Sequence, residues 1–311
     1  MTSLPDPARS RALLVGVSAY RNMAADRQLP TVEAGLYRLA DLLCDEQIWG
    51  LPAGHCTVLH QPASADDIVT ALRAAAAQAH DALVFYYAGH GLMDPAVRDG
   101  ELHLAMPDAY EPGGTHLAMG YMHVRRELAM SRGSWRMVIL DCCWSGLALP
   151  AGVTGAAAVD GTAVLTATAA TRKALAPPGE RYPAFTGALI DTLGSGIPGR
   201  PQVLDAGTVY QHVKDRLAKG GRPRPQFLGT GDGARTPLAH NLAYRQADGP
   251  QPAADTARRV RELRRAGQYR EADELQQEAA ASGEPESLRR RAGELRRIGR
   301  YADAAGLEDQ P

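Results

Sequence analysis

No Cys-x-x-Cys spacing occurs in this sequence, and the flanks of its four cysteines, Cys44, Cys56, Cys142 and Cys143, lack a histidine pattern suited to zinc. Neither a disulfide framework nor a bound metal is therefore expected. Long apolar runs are absent too. The first one, Ala12 to Val17, is far short of a membrane span and has no cleavage pattern behind it, so it reads as a strand and not as a signal peptide. Excess charge is missing: the formal net charge is -1, which gives nucleic acid or an anionic membrane nothing to bind. No Gly-rich phosphate loop precedes a helix, and "GHGLMD" is not one, so nucleotide binding has no motif. These absences lead to the expectation of a cytoplasmic protein that uses no cofactor.

What is present is alternation. Compact apolar runs at 11–20, 56–62, 81–91, 135–143 and 162–170 read as strands, with a strand or hairpin at 101–107. Between them, helical spacing appears at 30–47, where Leu36, Leu39, Ala40, Leu43 and Cys44 share a face, and at 64–80 and 121–131. Ser64 with Asp67 three residues on forms an approximate capping box. Two further helices, 184–196 and 205–221, each close on glycine. Strands alternating with helices imply an α/β protein with a mostly parallel sheet and helices on both faces. The stretch 222–253 is rich in Pro, Gly and polar residues apart from a short strand signal at 225–228, and reads as the end of the domain and a linker.

The tail carries a repeat. "ELRRAGQYREAD" (262–273) returns as "ELRRIGRYADAA" (294–305), with Gly267, Tyr269 and Ala272 recurring as Gly299, Tyr301 and Ala304. The pattern resembles tetratricopeptide-type helical hairpins. From residue 255 onward 12 arginines face 12 acidic residues, so the segment is neutral and reads as solvated helix faces. Two copies are fewer than a free-standing solenoid needs, which points to a protein partner or to docking on the main domain. The expected organisation is a domain over 1–240, a linker over 241–254 and a helical segment over 255–311.

Two blocks carry chemistry. "ILDCCWSG" (139–146) ends an apolar run with adjacent thiols, and "FYYAGHGL" (85–92) sets His90 between two glycines straight after a strand. Buried cysteines are often plain core filling and a lone histidine is often structural. The alternative is a nucleophile and its base, because both blocks lie beyond the carboxyl ends of predicted parallel strands, where open α/β sheets bind ligands. If those two strands are neighbours, their ends lie about 5 Å apart. An imidazolium beside a thiol favours the thiolate, and the backbone N–H groups of Gly91 and Cys143 are placed to form an oxyanion hole.

Together, "VFYYAGHG" and "VILDCCWSG" resemble the paired blocks of caspase/metacaspase-clan cysteine proteases. The Asp-x-Cys-x-Ser-Gly block is similar to that of metacaspases and bacterial caspase-like proteins; the Gln-Ala-Cys block of animal caspases is absent. "LLVGVSAY", "IWGLPAGHCTVL", "YYAGHGLMD" and "GRPRPQFLGTGD" are similar to actinobacterial caspase-like proteins associated with effector-associated constant components of conflict systems. The resemblance covers roughly residues 11–240. It implies a caspase-like three-layer sandwich and a cysteine endopeptidase acting on protein or peptide substrates through a Cys-His dyad and a thioester. It also implies Cys143 as nucleophile, His90 as base, and Cys142 at a variable inward position. Asp141 corresponds to the metacaspase aspartate that pairs with a substrate Arg or Lys; the other reading of Asp141 is a structural carboxylate satisfied by loop amides. Ala88 stands where that pocket often has serine.

Two departures accompany the match. Val32 and Gly35 occupy the places where metacaspases carry a pocket Cys and Asp on the first helix, which leaves basic specificity resting on Asp141. Residues 144–159 contain no Asp or Glu, so calcium activation is not expected, and Asp94, Asp99 and Glu101 read as a solvated loop. A competing function is a catalytically silent interaction module recruiting partners through the helical tail. The retained Cys–His pair argues against it, since a scaffold needs neither.

Overall fold

The computed structural model describes residues 3–93, 101–110, 114–143, 161–167 and 179–244. The chain divides after Tyr244, and the repeat of the tail lies outside the described residues, as do Asp94, Asp99 and the Trp-Ser-Gly that follows Cys143.

In chain order the elements are β1 (Arg11–Gly16), α1 (Thr31–Cys44), β2 (Cys56–His60), α2 (Ala65–Gln78), β3 (Ala82–Ala88), β4 (Gly91–Met93), β5 (Leu102–Ala105), β6 (Ala118–Gly120) and α3 (Tyr121–Met130). They continue with β7 (Trp135–Asp141), β8 (Thr162–Thr166), α4 (Ala184–Ser195), β9 (Val203–Asp205), α5 (Ala206–Lys219), β10 (Gln226–Gly229) and β11 (Pro237–His240). Six strands form the main sheet in the order β10-β8-β7-β3-β1-β2. All are parallel except β10, which runs antiparallel to β8 at one edge.

The continuous apolar runs follow from this topology, because a parallel sheet is covered on both faces and its central strands have no solvent side. Every residue of β3 is buried, and so are five of the six in β1. Alternate side chains feed two cores. One lies against α1, α4 and α5 and takes Leu14, Tyr86 and Ile139; the other lies against α2 and α3 and takes Leu13, Phe85 and Val138. Helix, sheet and helix make a three-layer sandwich, the architecture the sequence led one to expect. The capping box of α2 is complete: Ser64 Oγ accepts from Asp67 N–H and Asp67 Oδ2 from Ser64 N–H. No helix among the described residues is long and apolar enough to cross a membrane.

The structure departs from the sequence reading at its margins. The first strand stops at Gly16, and residues 17–30 form a loop instead of extending it. The 101–107 run becomes the middle of a separate antiparallel ladder, β4-β5-β6. Glu101 is exposed and lies outside any helix or strand, in keeping with the solvated loop expected there, and its carboxylate also accepts Met122 N–H in the first turn of α3, at 2.7 Å. Beyond 222, β11 pairs with β9, and Leu238 and Ala239 are buried there. Asn241 then accepts from Ile197 N–H and donates to Ile197 O, Arg200 O and Pro201 O. That side chain fastens the turn after α4, where Gly196 takes a φ of 69°.

Candidate active site

The register of two strands places the candidate residues. Each residue of β3 pairs with one 53 positions further on in β7, from Ala82↔Trp135 to Ala88↔Asp141. His90 and Cys143 are separated by the same interval, so they leave adjacent strands side by side, about 4.8 Å apart in the pairing direction. The ladder continues past its last formal pair, since Gly89 N–H donates to Asp141 O at 3.2 Å. At Gly91 the chains press closest: a Cβ built there would lie 1.9 Å from the Cys143 carbonyl oxygen. Only glycine fits this contact.

His90 is held at several points. Its backbone N–H donates to the Tyr20 hydroxyl at 2.6 Å, and its carbonyl accepts from the Tyr87 hydroxyl at 3.0 Å and from Ala105 N–H at 3.0 Å. The ring nitrogen Nε2 sits 2.7 Å from the carbonyl of Arg27. A carbonyl only accepts, so Nε2 carries its proton, which leaves Nδ1 as the basic nitrogen of the neutral ring. The Ala105-to-His90 bond also makes Gly91↔Leu104 the pair whose members exchange no bond with each other, so the Gly91 N–H turns away from β5.

The adjacent thiols are not alike. Cys142 has no exposed surface and joins the core on the α2/α3 side, where burial and then the neighbouring Cys143 push its pKa well up. Cys143, at the end of the strand, keeps 8% of its surface exposed. Cys142 thus takes the inward position.

Asp141 faces the other layer. It is 5% exposed, and its Oδ2 accepts from both the Thr186 hydroxyl (2.5 Å) and the Thr186 N–H (3.0 Å) in the first turn of α4. The Tyr86 hydroxyl is in turn 2.7 Å from the Thr186 hydroxyl. Burial pushes the Asp141 pKa up from 3.8 to about 6, against the downward pull of the two Thr186 bonds. Among the described residues no Lys or Arg pairs with it. Ala88, its register partner, is fully buried, with its carbonyl accepting from Val17 N–H. On α1, Val32 is buried, and a Cβ at Gly35 would lie 3.0 Å from Thr186 Cγ2. An acidic side chain at Gly35 would therefore displace Thr186. Thr186 and Arg27 lie in no motif, and Tyr20 and Tyr86 lie inside the quoted blocks without a role assigned to either; sequence reasoning missed the part all four play.

The raised pKa of Asp141 makes a stability prediction. Its folded value lies above its unfolded one, so between about pH 4 and 6 the folded protein holds a proton that the unfolded chain has released. The contribution of this group is most favourable below about pH 4 and is lost as pH rises through 6, for a total of roughly 3 kcal/mol. Asp141→Asn cannot charge and still offers an oxygen to Thr186. Urea midpoints measured across this range should fall with pH in the wild type relative to Asp141→Asn. Parallel curves would contradict the raised value.

Residues 9–233 match the family described as "Caspase domain". The fold is similar to that of a Geobacter sulfurreducens protein of known structure, with 16% identity over 76% of this chain and 98% of the other and a TM-score of 0.52. It is also similar to caspase-1 from Spodoptera frugiperda, with 12% identity over 77% of this chain and 92% of that one and a TM-score of 0.48. No curated protein sequence matches.

Proposed function

Because the chain belongs to the caspase-domain family, we propose that it is a cysteine endopeptidase in which Cys143 is the nucleophile and His90 the general acid and base. The observation that carries this reading is the shared interval of 53 between the β3–β7 register and the His90–Cys143 pair. In the reaction, the Cys143 thiolate attacks the scissile carbonyl carbon while the proton it gave up resides on His90 Nδ1. The Gly91 and Cys143 N–H groups donate to the oxyanion. Collapse of the tetrahedral intermediate breaks the C–N bond, and His90 delivers its proton to the leaving amine. Water, deprotonated by His90, then cleaves the thioester and regenerates the thiol.

Cleavage after Arg or Lys is the specificity we assign. Asp141 supports it: a carboxylate pushed up by burial, with no cation of the described chain beside it, gains strongly from a substrate cation. Ala88, with no exposed surface, shapes this pocket from behind. A metacaspase-type enzyme acting in a bacterial defence or stress pathway, with the tail from residue 255 recruiting a protein partner, completes the reading.

The test is a fluorogenic peptide series with Arg, Lys, Asp or Leu before the cut, assayed with wild type and His90→Ala. The wild type should prefer Arg and Lys. His90→Ala should lose about 10²–10⁴-fold in turnover, the ordinary worth of a positioned acid–base group. A preference for Asp would sink the pocket assignment, and wild-type turnover in His90→Ala would sink the dyad.

A further inference from the structure

The loop between β1 and α1 grips His90 from two sides, and one side chain ties the two grips together. From one end of the loop, the Tyr20 hydroxyl accepts the His90 backbone N–H at 2.6 Å, while the Tyr20 ring lies against the imidazole with centroids 4.7 Å apart. From the other end, the Arg27 carbonyl holds Nε2 at 2.7 Å. Gln28 joins them. Its Oε1 accepts from Tyr20 N–H at 2.7 Å, and its Nε2 donates to Tyr20 O (3.0 Å), Met23 O (3.0 Å) and Ala24 O (3.3 Å). A single carboxamide thus saturates the inside of the loop and fixes the distance between the hydroxyl and the carbonyl.

The grip is buried and backed by a second tyrosine. Tyr20 is 2% exposed and Tyr87 not at all. The Tyr87 hydroxyl faces His90 O at 3.0 Å and Ala105 O at 2.8 Å. Both hydroxyls press on Gly89, where a Cβ would lie 2.6 Å from one and 2.7 Å from the other. Backbone and ring of the histidine are therefore both set by groups outside its own strand.

We propose that Tyr20 and Gln28 are positioning residues for His90, acting through the hydroxyl contact and the Arg27 carbonyl to keep the ring in the tautomer with its proton on Nε2. This rests on the Cys143–His90 reading and adds to it the device that fixes the base. Tyr20 bonds the His90 backbone, and Gln28 bonds the inside of the loop. Their effect is on the orientation and tautomer of the imidazole, and misplacement of a base by a fraction of a bond length is costly to rate. Second groups that orient a working imidazole have this effect wherever a histidine must present one particular nitrogen.

The experiment uses the full chain with Tyr20→Phe, which keeps the ring and removes the acceptor, and Gln28→Met, which keeps the bulk and removes the four hydrogen bonds. Three readouts are taken: the ¹⁵N shifts of the His90 ring, the rate of Cys143 alkylation by iodoacetamide, and kcat and KM on the best peptide. The wild type should show the Nε2–H form. Both variants should show a mixture of tautomers, slower alkylation, and a kcat lower by roughly 10- to 100-fold with KM nearly unchanged. Melting temperatures identify a variant that fails to fold, and the other variant then decides. Folded variants with the wild-type ring spectrum and alkylation rate would overturn the proposal. Should the wild type cleave no peptide, the peptidase reading fails, while the ring spectra still decide whether Tyr20 and Gln28 set the tautomer.

Discussion

Cys143→Ala is expected to abolish peptide cleavage, a loss on the order of 10⁴-fold or more, of the kind seen when a covalent nucleophile is removed. Cys142→Ala should keep most of the activity. The two thiols are neighbours just beyond the end of β7, yet Cys142 has no exposed surface while Cys143 keeps 8% of its own. Cys142 is sealed among the residues that face α2 and α3, and burial holds its thiol in the protonated form. Its replacement removes one buried sulfur and should cost about 1 kcal/mol of stability and little rate. Cys143 lies two residues beyond the last paired residue of β7, as His90 does beyond that of β3. The check is turnover of a basic fluorogenic peptide together with mass spectrometry after iodoacetamide treatment. The adduct should appear on Cys143 in the wild type and in Cys142→Ala. Equal loss of turnover in both mutants, with both folded, would refute the assignment.

The pairing was legible in the sequence because it depends on strand ends alone. Two apolar runs of seven residues, each ended by a chemistry-bearing block, are enough to align His90 with Cys143 once the strands are neighbours. The surroundings of Asp141 were not legible in this way. Its partner Thr186 is 45 residues away in the first turn of α4. Nothing in "AFTG" distinguishes that threonine from any other residue of a helix start. Sequence reasoning weighed a substrate-facing carboxylate against one satisfied by loop amides. In the folded protein the amide and hydroxyl come from a helix N-terminus, where the positive end of the helix dipole adds to the two bonds. The small β9–β11 ladder escaped for a different reason. Three- and four-residue strands flanked by Pro and Gly show no period to read, and here Leu238 and Ala239 are drawn into the sheet's own core. The loop after β1 also escaped, since "VSAY" continues an apolar strand until Gln28 is seen to fold the chain back on Tyr20.

Gly91→Ala should be the most damaging of the glycine substitutions at this site. The objection to a side chain there is space and not backbone conformation, since Gly91 has no positive φ. A methyl group would lie 1.9 Å from the Cys143 carbonyl oxygen and 3.0 Å from its carbonyl carbon, and both are backbone atoms with no rotamer to give way. The clash is relieved only by moving β4 away from the end of β7. That movement shifts the Gly91 N–H out of the oxyanion position and draws His90 from Cys143 at the same time. Loss of one oxyanion donor alone lowers turnover by about 10²–10³-fold, and the widened dyad adds to it. Stability should drop by about 1–3 kcal/mol, the usual cost of overpacking. Gly54→Ala is the control, because a Cβ there meets nothing within 4 Å and both turnover and melting temperature should stay put. The measurements are kcat/KM and thermal melting on the three proteins. If Gly91→Ala melts lower but turns over like the wild type, the close approach at Gly91 holds the fold together and has no part in the chemistry. Large losses in turnover with a modest change in melting would place the contact between Gly91 and Cys143 inside the catalytic geometry.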